Sequence, residues 1–239
     1  MMIVGALLLA YVLKSNQLAK GPQVLFIGNS YTFSNDLPKM FTKLARSGGH
    51  DVGTELLANG GWTLEEHAQV SESVELIRQG TWNYVVLQEQ SIVPSKPVER
   101  VQSMYPAVRI LNEEIANNGA STILFMTWGR REGLSQLGYR NFYEMQNELA
   151  IGYWNIARQL DIVVSPVGLA WQRALQREPQ IDLWQSDGSH PSVEGSYLAA
   201  CVFYAVLFRE SPEGLSYRAG LAEDMAGFLQ SVAAEIVIE

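Results

Sequence analysis

One cysteine among 239 residues leaves no partner for an intramolecular disulfide and excludes a multi-thiolate metal site. That residue, Cys201, lies in the apolar stretch from Leu198 to Phe208, where a thiol reads as inert core. Histidine is nearly as scarce. His50, His67 and His190 are the whole supply, so few side chains can serve as a base near neutral pH. Basic patches are missing too: the densest spot is Arg130-Arg131, with Glu132 beside it, and the formal net charge is -8. That balance disfavours a nucleic-acid partner. Neither a G-x-G-x-x-G turn nor a G-K-[ST] lysine occurs, which argues against dinucleotide and P-loop sites. The N-terminal apolar run, Met1 to Leu13, is interrupted only by Tyr11 and ended by Lys14. It falls short of the roughly 20 residues a membrane span requires. It fits the core of a secretory signal, although no basic residue precedes it and no clear small-x-small cleavage site follows. A helix docked on the domain is the alternative. The expectation is an export signal or anchor over residues 1–21 and an extracytoplasmic location, with membrane contact through this segment only.

What is present describes a globular core. Hydrophobic residues make up 47% of the chain and charged ones 18%, which argues against disorder, and nothing in the length demands more than a single domain, expected over residues 22–239. Short apolar runs at Val24–Ile27, Val52–Ala58, Tyr84–Leu87, Thr122–Met126 and Ile162–Val164 are mostly continuous, the pattern of parallel strands covered on both faces. Segments with apolar residues at three- and four-residue spacing lie between and after them: Leu37–Arg46, Leu64–Gln79, Val98–Asn118, Tyr139–Leu160, Val193–Phe208 and Leu221–Ile238. Alternation of this kind predicts an α/β three-layer sandwich with a parallel sheet of about five strands. The longest break in periodicity, Gly129 to Gly138, follows the fourth strand and should overhang the same sheet edge as the turn after the first.

That first turn is Gly28-Asn29-Ser30-Tyr31-Thr32. It puts a serine at the carboxyl end of a buried strand, where open α/β sheets bind ligands. A serine hydroxyl becomes a nucleophile only beside a base that takes its proton. Asn, Ser and Thr are also ordinary turn and cap residues, so the pentapeptide alone carries little weight. Asp187-Gly188-Ser189-His190 changes that, since the acid and the imidazole are three residues apart in the loop after the last strand. Pro191 would hold that loop still, and Asp187 is close enough to orient the imidazole of His190. His50, in a Gly-Gly-His-Asp turn, reads as solvated, and His67, inside a helical stretch, as a surface or packing residue.

Together these blocks resemble the SGNH (GDSL-like) hydrolase superfamily over roughly residues 22 to 236. Gly28-Asn29-Ser30-Tyr31-Thr32 stands where that family commonly has G-D-S, and Asp187-Gly188-Ser189-His190-Pro191 matches its D-x-x-H block. The resemblance implies a flavodoxin-like sheet, with Ser30 as nucleophile, His190 as base and Asp187 as its orienting partner. It also implies an oxyanion hole made by the Ser30 amide, a glycine after the second strand, and a side-chain amide after the third. Gly60 is the first choice for the glycine and Gly61 the second. The usual G-x-N-D is missing; Gln88-Glu89-Gln90-Ser91 stands there instead. Some carbohydrate-deacetylating relatives carry glutamine at this point. Gln88, nearest the strand end, is the leading donor and Gln90 the alternative.

Trp62, Trp128 and Trp184 each adjoin one of these loops, as does Asn29, and are candidate pocket residues for a sugar ring or acyl chain; plain loop packing is the competing reading. Asp36 and Glu89 lack a histidine at ligand spacing, so no metal or other cofactor is assigned. The expected activity is a serine esterase acting on a small-molecule or saccharide ester. An acyltransferase using the same site and a non-catalytic glycan-binding module are the alternatives.

Overall fold

The computed structural model describes residues 21–238; the expected signal or anchor otherwise lies outside them. Five strands, β1 (Gln23–Gly28), β2 (Gly53–Ala58), β3 (Tyr84–Leu87), β4 (Ser121–Phe125) and β5 (Val163–Ser165), form one sheet in the order β2-β1-β3-β4-β5. Every pairing is parallel. The chain leaves β1 toward β2 on one side and returns to β3 on the other, so order reverses at β1/β3. Such a switch point opens a crevice above the carboxyl ends of the strands.

Side chains of β1, β3 and β4 alternate between two cores, as a pleat requires. Val24, Phe26, Val86, Ile123 and Phe125 belong to one core, with the helices at Leu37–Ser47, Val167–Arg177, Val193–Phe208 and Glu223–Val237. Leu25, Ile27, Val85, Leu87 and Leu124 belong to the other, against Leu64–Gln69, Ser71–Gln79, Tyr105–Asn117 and Phe142–Leu160. The helix Val193–Phe208 is buried over most of its circumference, matching its apolar sequence, and holds Cys201 in the core. Among the described residues no helix is long and apolar enough to cross a membrane.

Four expectations need correction. The helix predicted over Leu64–Gln79 breaks at Val70, which is extended. In an unbroken helix His67 and Ser73 would stand about 9 Å apart along the axis on different faces; the break brings the His67 Nδ1 to 3.0 Å from the Ser73 hydroxyl. The segment predicted as Val98–Asn118 passes through a wide π turn at Arg100–Met104 before Tyr105–Asn117. Pro106 has no N–H to donate, and its ring would crowd a regular turn. The helix Val167–Arg177 was not predicted. Finally, His50 is not simply solvated: its ring stacks on Phe208 at 3.8 Å and Nε2 meets Glu210 at 2.9 Å.

Candidate active site

β1 stops at Gly28 because the next peptide turns out of the sheet. Asn29 keeps extended backbone angles, and its Oδ1 accepts the Tyr31 N–H at 3.2 Å, capping the helical turn Ser30–Phe33. Ser30 is therefore presented at the rim by a turn whose Tyr31 and Thr32 side chains are buried. Three buried groups pin that turn. The Asn29 Nδ2 donates to the Trp62 carbonyl at 2.8 Å. The Gln88 Oε1 accepts from the Asn29 amide at 2.9 Å and from the Thr32 hydroxyl at 2.8 Å. His67 Nε2 donates to the Gly28 carbonyl at 2.9 Å. A carbonyl can only accept, so His67 carries its proton on Nε2, and Nδ1 accepts from Ser73. Burial lowers the pKa of His67, consistent with that neutral form. Gly28 is required for packing: a Cβ there would lie 2.5 Å from the Gln88 Oε1 and 2.7 Å from the Thr32 Oγ.

Asp187 and His190 come from a tight loop that leads into the helix Val193–Phe208, which Ser192 caps. Gly188 has a φ of +65°, which side-chain-bearing residues rarely adopt. That turn lets the Asp187 Oδ1 accept the amides of Ser189 and His190, both at 2.9 Å. Its Oδ2 lies 2.5 Å from the His190 Nδ1, and the His190 Nε2 lies 2.9 Å from the Ser30 Oγ. Burial pushes the Asp187 carboxyl up, but its bonds from the His190 ring and the two amides outweigh that and hold it below its ordinary value. An ionised Asp187 on Nδ1–H leaves Nε2 as the acceptor for the serine proton.

An aromatic column joins the two loops. The Tyr31 ring stacks on Trp128 at 4.7 Å, and Trp128 stacks on Trp171 at 4.1 Å. The Tyr31 hydroxyl meets the Ser189 Oγ at 2.6 Å, and the Trp128 Nε1 donates to the Ser189 carbonyl at 3.0 Å. On the other side the Asn35 Nδ2 reaches the carbonyls of Pro191 and Ser192.

The sequence matches no family model and no curated protein. Among solved structures, a proposed SGNH hydrolase from Slackia heliotrinireducens is 26% identical, with a TM-score of 0.66 over 77% of this chain and 97% of that one. The chain belongs to the SGNH/GDSL-like hydrolase superfamily. A DUF4886 family protein from Bacteroides uniformis ATCC 8492 shares the fold at a TM-score of 0.75 and 19% identity, covering 91% of this chain and 95% of that one. Axe2, an acetylxylan esterase from Geobacillus stearothermophilus, shares it at 0.60 and 17% identity, covering 78% and 94%.

Within this SGNH-type site the predicted residues divide sharply. Ser30, His190 and Asp187 are brought into one hydrogen-bonded chain. The Gly60-Gly61 turn is exposed and lies beside the Ser30 turn, since the Asn59 amide donates to the Gly28 carbonyl at 3.3 Å. Gln88 does not face the crevice: it is fully buried, its Oε1 takes the two donors of the Ser30 turn, and its Nε2 donates to the Glu89 carbonyl. Gln90 is only half-buried, and its Oε1 accepts from the Ile92 amide at 2.8 Å. Trp128 has no exposed surface and Trp184 is nearly buried, its indole N–H on the Gly129 carbonyl, so both are packing residues rather than rim residues. Asn29 is buried with both ends of its amide engaged within the protein, which removes it from the pocket. Trp62 stays half-buried at the edge, 5.1 Å from His67. Asp36 pairs with Lys39 at the surface while Glu89 is buried, so these two acids share no site.

Sequence reasoning missed the supporting roles of Gln88, His67 and Tyr31. The available signals were the scarcity of histidine, which should have drawn attention to His67, and the place of Gln88 directly after β3. Glu89 is the other surprise. Its Oε1 accepts the amides of Leu64 and Gln90, its Oε2 is buried without a partner, and burial pushes its pKa up to about 7.

Proposed function

We propose that the protein is a serine esterase that cleaves carboxylic esters, with O-acetyl groups on saccharides the favoured substrates, through an acyl-enzyme on Ser30. The observation that carries this reading is the unbroken chain from the Asp187 carboxylate through the His190 ring to the Ser30 hydroxyl. The Ser30 Oγ attacks the carbonyl carbon as its proton passes to the His190 Nε2, and Asp187 stabilises the imidazolium that forms. His190 then gives that proton to the departing alkoxide as the ester C–O bond breaks. Water then attacks the acyl carbon as His190 takes one of its protons; the acyl–Ser30 bond breaks, the carboxylic acid leaves, and the proton returns to Ser30. The oxyanion of each tetrahedral intermediate would be held by the Ser30 amide, the Gly60 amide (Gly61 in second place) and the side-chain amide of Gln90. The fold shared with an acetylxylan esterase and the half-buried Trp62 support a saccharide ester.

Ser30→Ala and His190→Ala should each lower kcat for a short-chain aryl ester by about 10⁴-fold or more with little change in melting temperature. Ser30→Ala turning over at the wild-type rate would sink the assignment. A fluorophosphonate probe should label Ser30 at neutral pH; an unlabelled protein would instead be a non-catalytic cleft. Product analysis with and without a sugar acceptor distinguishes hydrolysis from transfer, because water and alcohol attack the same acyl-enzyme.

A further inference from the structure

Among the described residues, Lys43, Arg109, Arg130, Arg158 and Arg209 are the cations with no acid within salt-bridge distance. Four of the five are exposed, where water is a sufficient partner. Arg130 alone is half-buried; its Nε is buried with no hydrogen-bond acceptor, as are those of Arg131 and Arg173, but those two guanidinia each hold an acid through an outer nitrogen and Arg130 does not. Native structures seldom leave a buried donor of a charged group unpaired, because its lost hydration is not recovered.

The position of Arg130 gives that vacancy a meaning. It sits between two backbone clamps on the loop bearing the catalytic acid and base: the Gly129 carbonyl takes the Trp184 indole N–H, and the Arg131 amide donates to the Gly188 carbonyl at 2.9 Å. The neighbouring Arg131 also buries an unpaired Nε, but its Nη2 pairs with Asp182 and its guanidinium lies over the Trp184 ring. The charge of Arg130 is felt elsewhere, at the Tyr31 phenol, whose pKa it pulls down against the larger upward effect of burial. Tyr31 in turn lies edge-to-face with His190 at 5.5 Å, with its hydroxyl on Ser189. Its backbone, held against the loop of Asp187 and His190, therefore puts an acid-free cation beside the site in a protein whose net charge of -8 would otherwise repel anions.

We infer that Arg130 is a specificity residue that pairs with a carboxylate carried by the ester substrate. This rests on the esterase reading above and names its substrate class. A guanidinium presents a planar fork matched to a carboxylate. A phosphate, with its larger charge, would call for a second cation, and Arg131 is committed to Asp182. The carboxylate could belong to the alcohol, as in an acetylated uronic acid, or to the acyl group, as in a hemisuccinate.

Two matched pairs separate these cases: acetylated methyl glucoside against acetylated methyl glucuronoside, and ethyl butyrate against monoethyl succinate, each read as kcat/KM. One acidic member should exceed its neutral counterpart by about tenfold or more, the ratio expected of one charge-assisted contact. High salt should shrink that preference. Arg130→Gln should bring the ratio near one, whereas Arg130→Lys, which keeps the charge, should retain part of it and provides a second variant should the first misfold. Ratios near one in the wild type, or an undiminished preference in Arg130→Gln, overturn the proposal. Fluorophosphonate labelling of Ser30 in the same preparation tells the two failures apart. Labelled protein without acid preference refutes only the role of Arg130, and unlabelled, inactive protein refutes both readings.

Discussion

Two glutamines two positions apart illustrate how position decides the role of a residue. Gln88 accepts from the Asn29 amide and the Thr32 hydroxyl, so Gln88→Ala would leave two buried donors unpaired. At about 1–3 kcal/mol for each, the variant should melt well below the wild type. Gln90→Ala should behave oppositely, keeping its melting temperature and losing about 10²- to 10³-fold in kcat, as expected when an oxyanion donor is removed. Thermal melts and aryl-ester kinetics on both variants check the pair of expectations. Glu89 supplies a pH signature. Its folded pKa of about 7 lies above the 4.5 of an ordinary glutamate, so the protonated carboxyl stabilises the fold fully below about 4.5. That contribution is lost as pH rises to about 7, a difference on the order of 3 kcal/mol. Glu89→Gln retains the Oε1 acceptor and has no charge to bury. Its melting temperature should exceed the wild type's at pH 8 and match it near pH 4.5; parallel curves across that range would refute the assignment.

Elements place these residues. The helix Leu64–Gln69 begins with a capping box, in which the Thr63 hydroxyl accepts the Glu66 amide and the Glu66 carboxylate accepts the Thr63 amide. This anchors the segment that carries His67 beneath the Ser30 turn and follows the Gly60-Gly61 turn. Thr63→Ala should cost about 1 kcal/mol of stability, measurable by urea unfolding. It should also raise hydrogen exchange in residues 64–69 more than in the strands. Equal effects throughout the molecule would show that this helix does not open on its own. The sheet order was not readable from the strands themselves, since their apolar runs are alike. Which strands became neighbours was decided together with which face of the sheet each connecting helix covers. The helix Val167–Arg177 was equally hidden, because its first turn follows directly on β5 with no polar cap: Pro166 stands there and makes no side-chain bond.

At the scale of the whole molecule, the two cores share one sheet, so they should lose structure together. Cys201 lies in the larger core, and burial pushes its thiol pKa far up. A thiol reagent should therefore modify it only as fast as the protein unfolds globally, and at a rate unaffected by ligands that do not alter stability. Rapid modification of the folded protein would mean that the helix Val193–Phe208 is not held as described. By itself the sequence determined the local facts: a buried strand ending at Gly28, a serine in the turn after it, and an acid and imidazole three residues apart before an apolar helix. Period, turn chemistry and residue type act over a few positions, so they can be read along the chain. Tertiary structure alone decided that Gln88 turns beneath the Ser30 turn while Gln90 stays near the surface, that Trp128 fills a stacked column, and that Arg130 remains without an acid. Each of those outcomes depends on which atoms of distant segments arrive at hydrogen-bonding or van der Waals distance, and packing sets that for the whole domain at once.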